Sequence, residues 1–303
     1  MKKKIFVLGG AQLGFNYGLK KINIYKNKKK LKNILKIAKK NNINFIDTAR
    51  AYGDSEKNTG EFNKNLTKNN KFKVISKLGK IPNTTQKNLH KKVLSSVLKS
   101  LVLLGQKKID ILLIHDFKNL LYFKKSLITV LEKLIKKKLV GEIGVSVYNP
   151  KEAIHCLKYK LVKHIQIPFN ILDQRWLNSK FILEINKRND VKIHVRSIFL
   201  KGLLLDKQKY WPKWSSIQDE VSKKMNICAA KLKKINKIEL CISYVKSFNW
   251  VKYIIIGIDS TKQIQDIVKF LNCKKMNSKE KNYTRLIMKD LIVDNKILSP
   301  NLW

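Results

Sequence analysis

Short apolar runs alternate with longer amphipathic stretches along the whole chain. Eight runs have the length and apolar character of strands, at residues 5–8, 43–46, 72–76, 109–114, 142–146, 164–167, 192–197 and 253–256. Between and after them, apolar residues recur every three or four positions and predict helices at 31–40, 54–64, 86–104, 121–138, 150–159, 177–187, 216–247 (two helices), 261–271 and 283–292. The pattern therefore predicts a repeated strand-helix unit.

Eight such units without a break in composition fit one (β/α)8 barrel, because right-handed crossovers keep successive strands parallel. We expect an α/β fold, a single TIM barrel, formed by one domain of residues 1–303. The rival is a doubly wound nucleotide-binding sheet, because residues 9–14 follow the first strand and nearly match GxGxxG. However, Ala11 replaces the middle glycine, and residues 15–27 are polar and aperiodic where that fold needs a helix.

Two helix starts carry capping signals. Asn149 and Pro150 place a cap and a first-turn proline before the helix at 150–159. Ser216 and Asp219 offer an aspartate version of the capping box for the helix that follows them.

Four polar residues stand at or just beyond the ends of predicted strands. Asp47 and His115 directly follow their apolar runs, Lys77 follows the third, and Tyr52 lies five residues past Asp47. Taken singly, Asp47 could be a helix cap, Tyr52 a surface aromatic, Lys77 one lysine among many and His115 a core histidine. Because the carboxyl ends of parallel strands meet on one face of a barrel, their joint occurrence predicts a proton-transfer site.

The 303 residues carry a formal net charge of +44, which raises the question of a polyanionic partner. Nearly all of this charge is lysine spread along the chain, whereas arginine, which pairs bidentately with phosphate and guanine, is rare. Arginine occurs only at Arg50, Arg175, Arg188, Arg196 and Arg285. We interpret the charge as a solvated lysine surface and expect no specific nucleic-acid partner. A polyanion-binding protein remains a hypothesis that rests on the charge alone.

The four cysteines are far apart and form no CxxC pair, which indicates reduced, buried thiols in a cytoplasmic protein without a metal site. The first residues resemble the start of a signal peptide, but their apolar run stops at Gln12, and a first strand explains it better. No later run is long enough to cross a bilayer, so we expect no membrane association.

Several segments resemble the aldo-keto reductases, and their order and spacing match over almost the whole chain. The matching segments are LGGAQLG at 8–14, FIDTA at 45–49, YGDSE at 52–56, SK at 76–77, DILLIH at 110–115, GVS at 144–146, Gln166 with FN at 169–170, RSIFLKGL at 196–203 and IIG at 255–257. The resemblance implies an enzyme that reduces an aldehyde or ketone with NAD(P)H inside a barrel. NADP(H) is the expected cofactor, with NAD(H) as the alternative, and a small carbonyl compound is the expected substrate.

The motif matches place the family's catalytic tetrad on Asp47, Tyr52, Lys77 and His115. The resemblance implies that Tyr52 is the acid that protonates the alkoxide. An ammonium on Lys77 is expected to lower the pKa of the phenol by stabilising the phenolate, and Asp47 is expected to hold Lys77 in place. His115 is implied to hydrogen-bond the carbonyl oxygen and orient the substrate.

The resemblance also implies that Ser146 and Gln166 bind the nicotinamide carboxamide. Arg196 stands where the family commonly stacks an aromatic ring on the nicotinamide, and its planar guanidinium is expected to stack similarly. Ser197 and Phe199, after the seventh strand, are implied to border the pyrophosphate. Ordinary structural interpretations stay open, such as a strand-ending hydroxyl for Ser146 and loop packing for Ser197 and Phe199.

The segment after the last strand is implied to hold the adenine half of the cofactor. It runs from Gly257 into a helix whose amino end attracts phosphate through backbone N–H groups. Lys262 is the implied partner of a 2′-phosphate, and Asp266 is implied to face the adenine. Asp266 could equally be a first-turn acid favoured by the helix dipole.

The loop around Tyr210, Trp211 and Trp214 is either a wall of the substrate pocket or a cover for the barrel top. Residues 166–175 look like a branch of the family associated with bacterial surface carbohydrates, so a sugar-linked carbonyl is one expectation for the substrate.

A second class of function stays open. Val147, Arg196 and Gln263 depart from the family's usual residues at their positions. They motivate the alternative that the protein is an NADP(H)-binding regulatory or sensor subunit with little turnover.

Overall fold

Eight parallel strands close into a barrel in chain order in the computed structural model, which describes residues 4–17, 24–79, 81, 85–205 and 211–299. The strands are β1 (Ile5–Gly9), β2 (Phe45–Asp47), β3 (Lys73–Leu78), β4 (Ile109–Ile114), β5 (Val140–Ser146), β6 (Val162–Pro168), β7 (Lys192–Arg196) and β8 (Val251–Gly257). Each strand pairs with its neighbours in sequence, and β1 pairs with β8 to close the barrel. The predicted single (β/α)8 TIM barrel is confirmed.

Helices follow the strands on the outside of the barrel. They are α1 (Lys28–Lys40), α2 (Ser55–Lys64), α3 (Gln86–Leu104), α4 (Phe117–Lys136), α5 (Pro150–Cys156), α6 (Ser179–Lys187), α7 (Gln218–Lys231), α8 (Lys237–Lys246), α9 (Thr261–Val268) and α10 (Ser278–Lys289). As predicted, the stretch 216–247 forms two helices. Only a 3-10 turn follows β1 directly, in agreement with the absence of a nucleotide-fold helix there.

One of the two capping predictions is confirmed. The Asn149 side chain accepts a hydrogen bond from the Glu152 backbone N–H at 3.0 Å, and Pro150 occupies the first turn of α5. The prediction at Ser216 is wrong, because Ile217 is the residue before α7 and no side chain caps that helix. Serine and aspartate at the right spacing indicate a cap only where the backbone also enters the helix at that serine.

The barrel has two apolar cores. A large core fills the space between the strands and the surrounding helices. A smaller one lies inside the barrel and is formed by Val7, Ile75, Ile111, Leu113, Tyr253 and Ile255. Successive side chains of a strand point to opposite faces of the sheet. One set therefore packs against the helices, and the other fills the interior of the barrel.

A buried histidine pair lies beside the inner core. The Nδ1 of His164 and the Nε2 of His194 are 2.7 Å apart, and both residues have 0% exposure. Glu142 lies 2.9 Å from the Nε2 of His164 and also binds Lys192 at 3.0 Å, while Tyr253 stacks on His194 at 4.1 Å. Burial lowers the pKa of His164 to about 4 and the pKa of His194 well below its usual value, so both rings are neutral at pH 7.

This pair predicts that the protein loses stability in mild acid. Below pH 6.5 the unfolded chain binds protons at these histidines, whereas folded His164 binds one only near pH 4. The free energy of unfolding therefore decreases as the pH is lowered. The slope is up to about 1.4 kcal/mol per pH unit for each histidine. Urea unfolding between pH 7.5 and 5 should show this loss, and the His164→Gln/His194→Gln variant should show a shallower one.

His90, a partly exposed histidine on α3, provides the matched control. The His90→Gln variant should keep the full slope. An unchanged slope in the His164→Gln/His194→Gln variant would show that other groups cause the acid sensitivity.

All four cysteines are free. Cys156, Cys228 and Cys241 are buried, as expected, whereas Cys273 is only partly buried because it lies in the loop between α9 and α10. Within the described ranges, no helix has the length and hydrophobicity needed to cross a bilayer. The same residues contain no cluster of three or more His, Cys, Asp or Glu side chains suited to a metal ion.

Candidate active site

A pocket of about 270 Å³ opens at the carboxyl ends of the strands. Nine of the twelve predicted site residues line it: Asp47, Tyr52, His115, Ser146, Gln166, Arg196, Ser197, Phe199 and Gly257. Lys77 lies behind the lining, against Asp47. The parallel strands thus bring together residues separated by up to 210 positions, as the carboxyl face of a barrel requires.

The Asp47–Lys77 ion pair forms the floor of the pocket. Lys77 Nζ donates to Asp47 Oδ2 at 2.6 Å and to the Thr48 carbonyl at 3.0 Å, and Lys77 is 1% exposed. Gln166 Nε2 donates to the other carboxylate oxygen of Asp47 at 2.7 Å. Burial lowers the pKa of Lys77, and the contact with Asp47 opposes that shift. A charge buried this deeply depends on its partner, because removal of either one leaves the other without compensation.

Two glycines hold the backbone of Tyr52 in place. A Cβ on Gly14 would lie 1.7 Å from the Tyr52 carbonyl oxygen, so only glycine permits this approach. Gly53 follows with a φ of +50°, and the Asp54 N–H donates to the Gly14 carbonyl at 3.1 Å. The loop after β1 and the loop after β2 therefore lock together around Tyr52.

Tyr52 lies within contact distance of two other members of the predicted tetrad. Lys77 Nζ is 4.6 Å from the centroid of the Tyr52 ring, and the His115 ring packs edge-on against it at 5.8 Å. The four residues predicted from strand ends therefore form one contiguous group.

The pKa of Tyr52 differs from the expectation. Burial and the nearby Asp47 carboxylate raise it above its usual value, and Arg196 only partly offsets them. Lys77 does not produce the predicted lowering, because its ammonium lies over the ring and is already neutralised by Asp47. The phenol therefore keeps its proton at neutral pH.

His115 is neutral for a related reason. Burial, followed by the positive charges of Lys77 and Arg196, lowers its pKa to about 3. A neutral imidazole has one N–H, so His115 can donate a hydrogen bond to a ligand oxygen in the pocket.

Gln166 and Ser146 fit the carboxamide of a nicotinamide. They are register partners on β6 and β5, and both line the pocket. The Oε1 of Gln166 is buried without a hydrogen-bond partner, and an amide N–H₂ would satisfy it. The residues present therefore suit this part of the cofactor.

At the pocket rim, the ends of β1 and β8 lie close together because both carry glycine. Gly9 pairs with Gly257, and a Cβ on Gly9 would lie 3.1 Å from the Gly257 backbone. A Cβ on Gly257 would lie 3.0 Å from the side-chain amide of Gln12. Side chains at these positions would crowd the pocket mouth.

The loop after β7 has an unusual backbone. Ser197, Leu200 and Lys201 have φ values of 60°, 49° and 55°, which side-chain-bearing residues rarely adopt. Ser197, Phe199 and Lys201 line the pocket. Such conformations persist only where surrounding contacts enforce them.

Lys262 and Asp266 lie outside the pocket lining. Both are on α9, where Lys262 is exposed and Asp266 forms an ion pair with Lys269 at 3.0 Å. The α9 residue that reaches the pocket is Gln263, whose side-chain oxygen accepts the Asp259 N–H at 2.6 Å. Cofactor contacts for Lys262 and Asp266 stay predictions.

Sequence reasoning missed two pocket tyrosines, Tyr17 and Tyr148. Tyr148 lies two residues past β5 and stacks under the guanidinium of Arg196 at 4.6 Å. Tyr17 lies in the loop after β1, and burial raises its pKa to about 12. Both lie in loops beyond a strand end, where the rule that found Asp47 does not say which way a side chain points.

The two described tryptophans of the loop predicted to wall or cover the pocket do not line it. Trp211 is buried in the outer core, Trp214 is 52% exposed, and neither lines the pocket. Tyr210 lies outside the described residues.

The segment 166–175 contains its own structural network. Asp173 is fully buried and accepts two hydrogen bonds from the Arg175 side chain, at 2.7 and 2.8 Å, and one from the Arg175 backbone N–H at 3.2 Å. Asn170 accepts the Leu172 N–H at 2.9 Å. Beyond Gln166, these polar residues stabilise a loop.

Comparison with known proteins agrees with this geometry. The model of the aldo/keto reductase family matches residues 6–287. The fold is similar to aldo-keto reductase AKR11C1 from Bacillus halodurans in its holo form, with a TM-score of 0.75, 19% identity, and coverage of 95% of this chain and 93% of that one. It is also similar to the glycerol dehydrogenase AKR11B4 from Gluconobacter oxydans, with a TM-score of 0.73, 21% identity and the same coverage. No curated protein sequence matches the chain. The chain therefore belongs to the aldo/keto reductase family, whose members are oxidoreductases that use nicotinamide cofactors.

Proposed function

We propose that the protein reduces an aldehyde or ketone to an alcohol with NADPH, and that Tyr52 donates the proton. The observation that carries this proposal is the convergence of a protonated Tyr52, a neutral His115 and the buried Asp47–Lys77 pair in one pocket.

Each residue has a separate task in this reaction. Bound NAD(P)H supplies the hydride, which turns the carbonyl oxygen into a developing alkoxide. The Tyr52 hydroxyl gives its proton to that oxygen, and the N–H of His115 holds the oxygen in place beforehand. Arg196 stabilises the phenolate that remains, because it carries positive charge close to Tyr52, and Lys77 cancels the Asp47 carboxylate, whose negative charge would otherwise oppose the phenolate. Asp47 keeps Lys77 charged and oriented.

The cofactor is held by residues around the same opening. In the proposal, Ser146 and Gln166 bind the carboxamide, Arg196 stacks near the nicotinamide, and Ser197 and Phe199 border the pyrophosphate. The segment from Gly257 to Asp266 binds the adenine half. We also propose that residues 1–303 form one domain around this site.

NADP(H) is the proposed cofactor because Lys262 presents an exposed ammonium at the start of α9, one residue before pocket-lining Gln263. The Lys262→Gln variant should raise the KM for NADPH about two- to fivefold, the range expected for one exposed ion contact. The KM for NADH should change little, because NADH lacks the 2′-phosphate. Steady-state kinetics with both cofactors would measure this.

Lys180→Gln removes an exposed lysine from the same position of α6, outside the pocket lining, and serves as the control. Equal effects of Lys262→Gln on both cofactors would contradict a contact with the 2′-phosphate.

NADPH and NADH oxidation with a panel of aldehydes, ketones and keto-sugars tests the proposed function. Sugar-linked carbonyls belong in the panel because residues 166–175 resemble a carbohydrate-associated branch of the family. Turnover of any member supports the reductase. Cofactor binding without turnover would instead support the sensor subunit. Membership in an oxidoreductase family does not favour that alternative.

A further inference from the structure

Among the described residues, Arg196 has no carboxylate partner, unlike three other arginines. Arg50, Arg175 and Arg188 pair with a Glu or Asp at 3.0, 2.7 and 2.8 Å. No ion pair to Arg196 occurs in the part of the chain that the structure describes, and its Nη2 is shielded from solvent without a hydrogen-bond partner. A buried guanidinium N–H without an acceptor is costly, so this atom indicates a ligand oxygen.

The faces and the edge of the Arg196 guanidinium have different surroundings. Tyr148 stacks on one face, with its ring centroid 4.6 Å from Cζ. The N–H groups of a guanidinium lie in its plane, so stacking leaves them able to bind an anion. Because Arg196 lines the pocket together with Tyr52 and His115, that anion would lie in the same pocket as the reacting carbonyl.

The other groups near Tyr52 do not neutralise Arg196. Lys77 and Asp47 cancel each other at 2.6 Å, and His115 is neutral. The pocket lining also includes Lys201 and Asp259, which have opposite charges. Among the described residues, no ion pair compensates the positive charge of Arg196.

We propose that Arg196 binds an acidic group of the substrate, so that the enzyme prefers carbonyl compounds that carry a carboxylate or phosphate. This proposal rests on the proposed function, since it names the substrate class of the same site. The diphosphate of the cofactor offers the same anionic oxygens, and the experiment must separate the two sources.

The test compares matched substrates in wild type and Arg196→Gln. Pyruvate is set against butanedione, succinic semialdehyde against butanal, and glyceraldehyde 3-phosphate against glyceraldehyde. We expect at least one anionic member to exceed its neutral analogue in kcat/KM by about ten- to a hundredfold, the value of a charge-assisted hydrogen bond. Arg196→Gln should bring the ratio of the two kcat/KM values close to one. A loss of activity that is common to both substrates does not change this ratio. Arg196→Lys should keep part of it, because the charge remains but the planar fork is lost.

Arg285→Gln, on α10 and outside the pocket lining, is the matched control and should keep the wild-type ratio. Neutral analogues that match or exceed every anionic substrate in the wild type would overturn the proposal. An unchanged ratio in Arg196→Gln would also overturn the proposal. If the ratio is unchanged and the variant binds NADPH more weakly, the ligand of Arg196 is the cofactor diphosphate.

An equilibrium measurement makes the inference independent of turnover. Calorimetry of pyruvate, succinic semialdehyde and glyceraldehyde 3-phosphate binding to the protein saturated with NADP⁺ involves no reduction. Tighter binding of an anionic compound than of its neutral analogue, lost in Arg196→Gln, would support the subsite even if no carbonyl is reduced. Equal binding of all pairs would overturn the subsite and leave the reductase proposal standing wherever turnover is seen.

Discussion

Tyr52→Phe should lower kcat by about 10²- to 10⁴-fold, the usual contribution of a general acid. The phenyl ring fills the same volume beside His115 but has no proton to give to the alkoxide. Cofactor affinity should change little, because the hydroxyl acts in the transition state and the proposed carboxamide contacts lie on Ser146 and Gln166. Steady-state kinetics together with a fluorescence titration of NADPH would measure both quantities.

Tyr17 gives the matched control, since it is a second tyrosine in the lining of the same pocket. Tyr17→Phe should cost much less than Tyr52→Phe. A parallel loss of NADPH affinity in Tyr52→Phe, or a kcat within about threefold of wild type, would argue against Tyr52 as the acid.

Lys77→Met should both inactivate and destabilise the protein. Asp47 would remain as a buried carboxylate with Gln166 Nε2 as a side-chain donor, and breaking a buried ion pair costs about 3–5 kcal/mol. The kcat should fall by about 10²-fold or more, because the Asp47 carboxylate, no longer neutralised by Lys77, opposes formation of the Tyr52 phenolate. Urea unfolding and NADPH oxidation would measure the two effects.

Asp47→Asn/Lys77→Met separates charge from packing. This double variant removes both charges, so it should be more stable than Lys77→Met. If the double variant is the less stable of the two, the ion pair is not the reason that Lys77 matters for stability.

The sequence determined the architecture because strand and helix periods are local. The eight apolar runs became β1 to β8 with small shifts at their ends, and β4 matches its predicted range. Helix starts were less accurate. Asn277 and Glu280 form a capping box that begins α10 five residues before the predicted start, because its first turn is polar and carries no apolar period.

The sequence also determined which residues reach the pocket from strand ends. Asp47 and His115 needed only a strand position and the rule that parallel strands end on one face, whereas Ser146 and Gln166 were predicted from the family resemblance. The same rule did not predict the pocket contacts of Tyr17 and Tyr148, because the loop positions beyond a strand end do not reveal where a side chain points.

Only the tertiary structure decided the electrostatics. Closure of the barrel set His164 against His194, placed Lys77 over the ring of Tyr52, and put Arg196 on Tyr148 with no carboxylate partner among the described residues. It also raised the pKa of Tyr52, where the sequence predicted the opposite. Such quantities depend on distances and burial between residues far apart in the chain, whereas a local hydrophobic period reports only which side of an element faces the core.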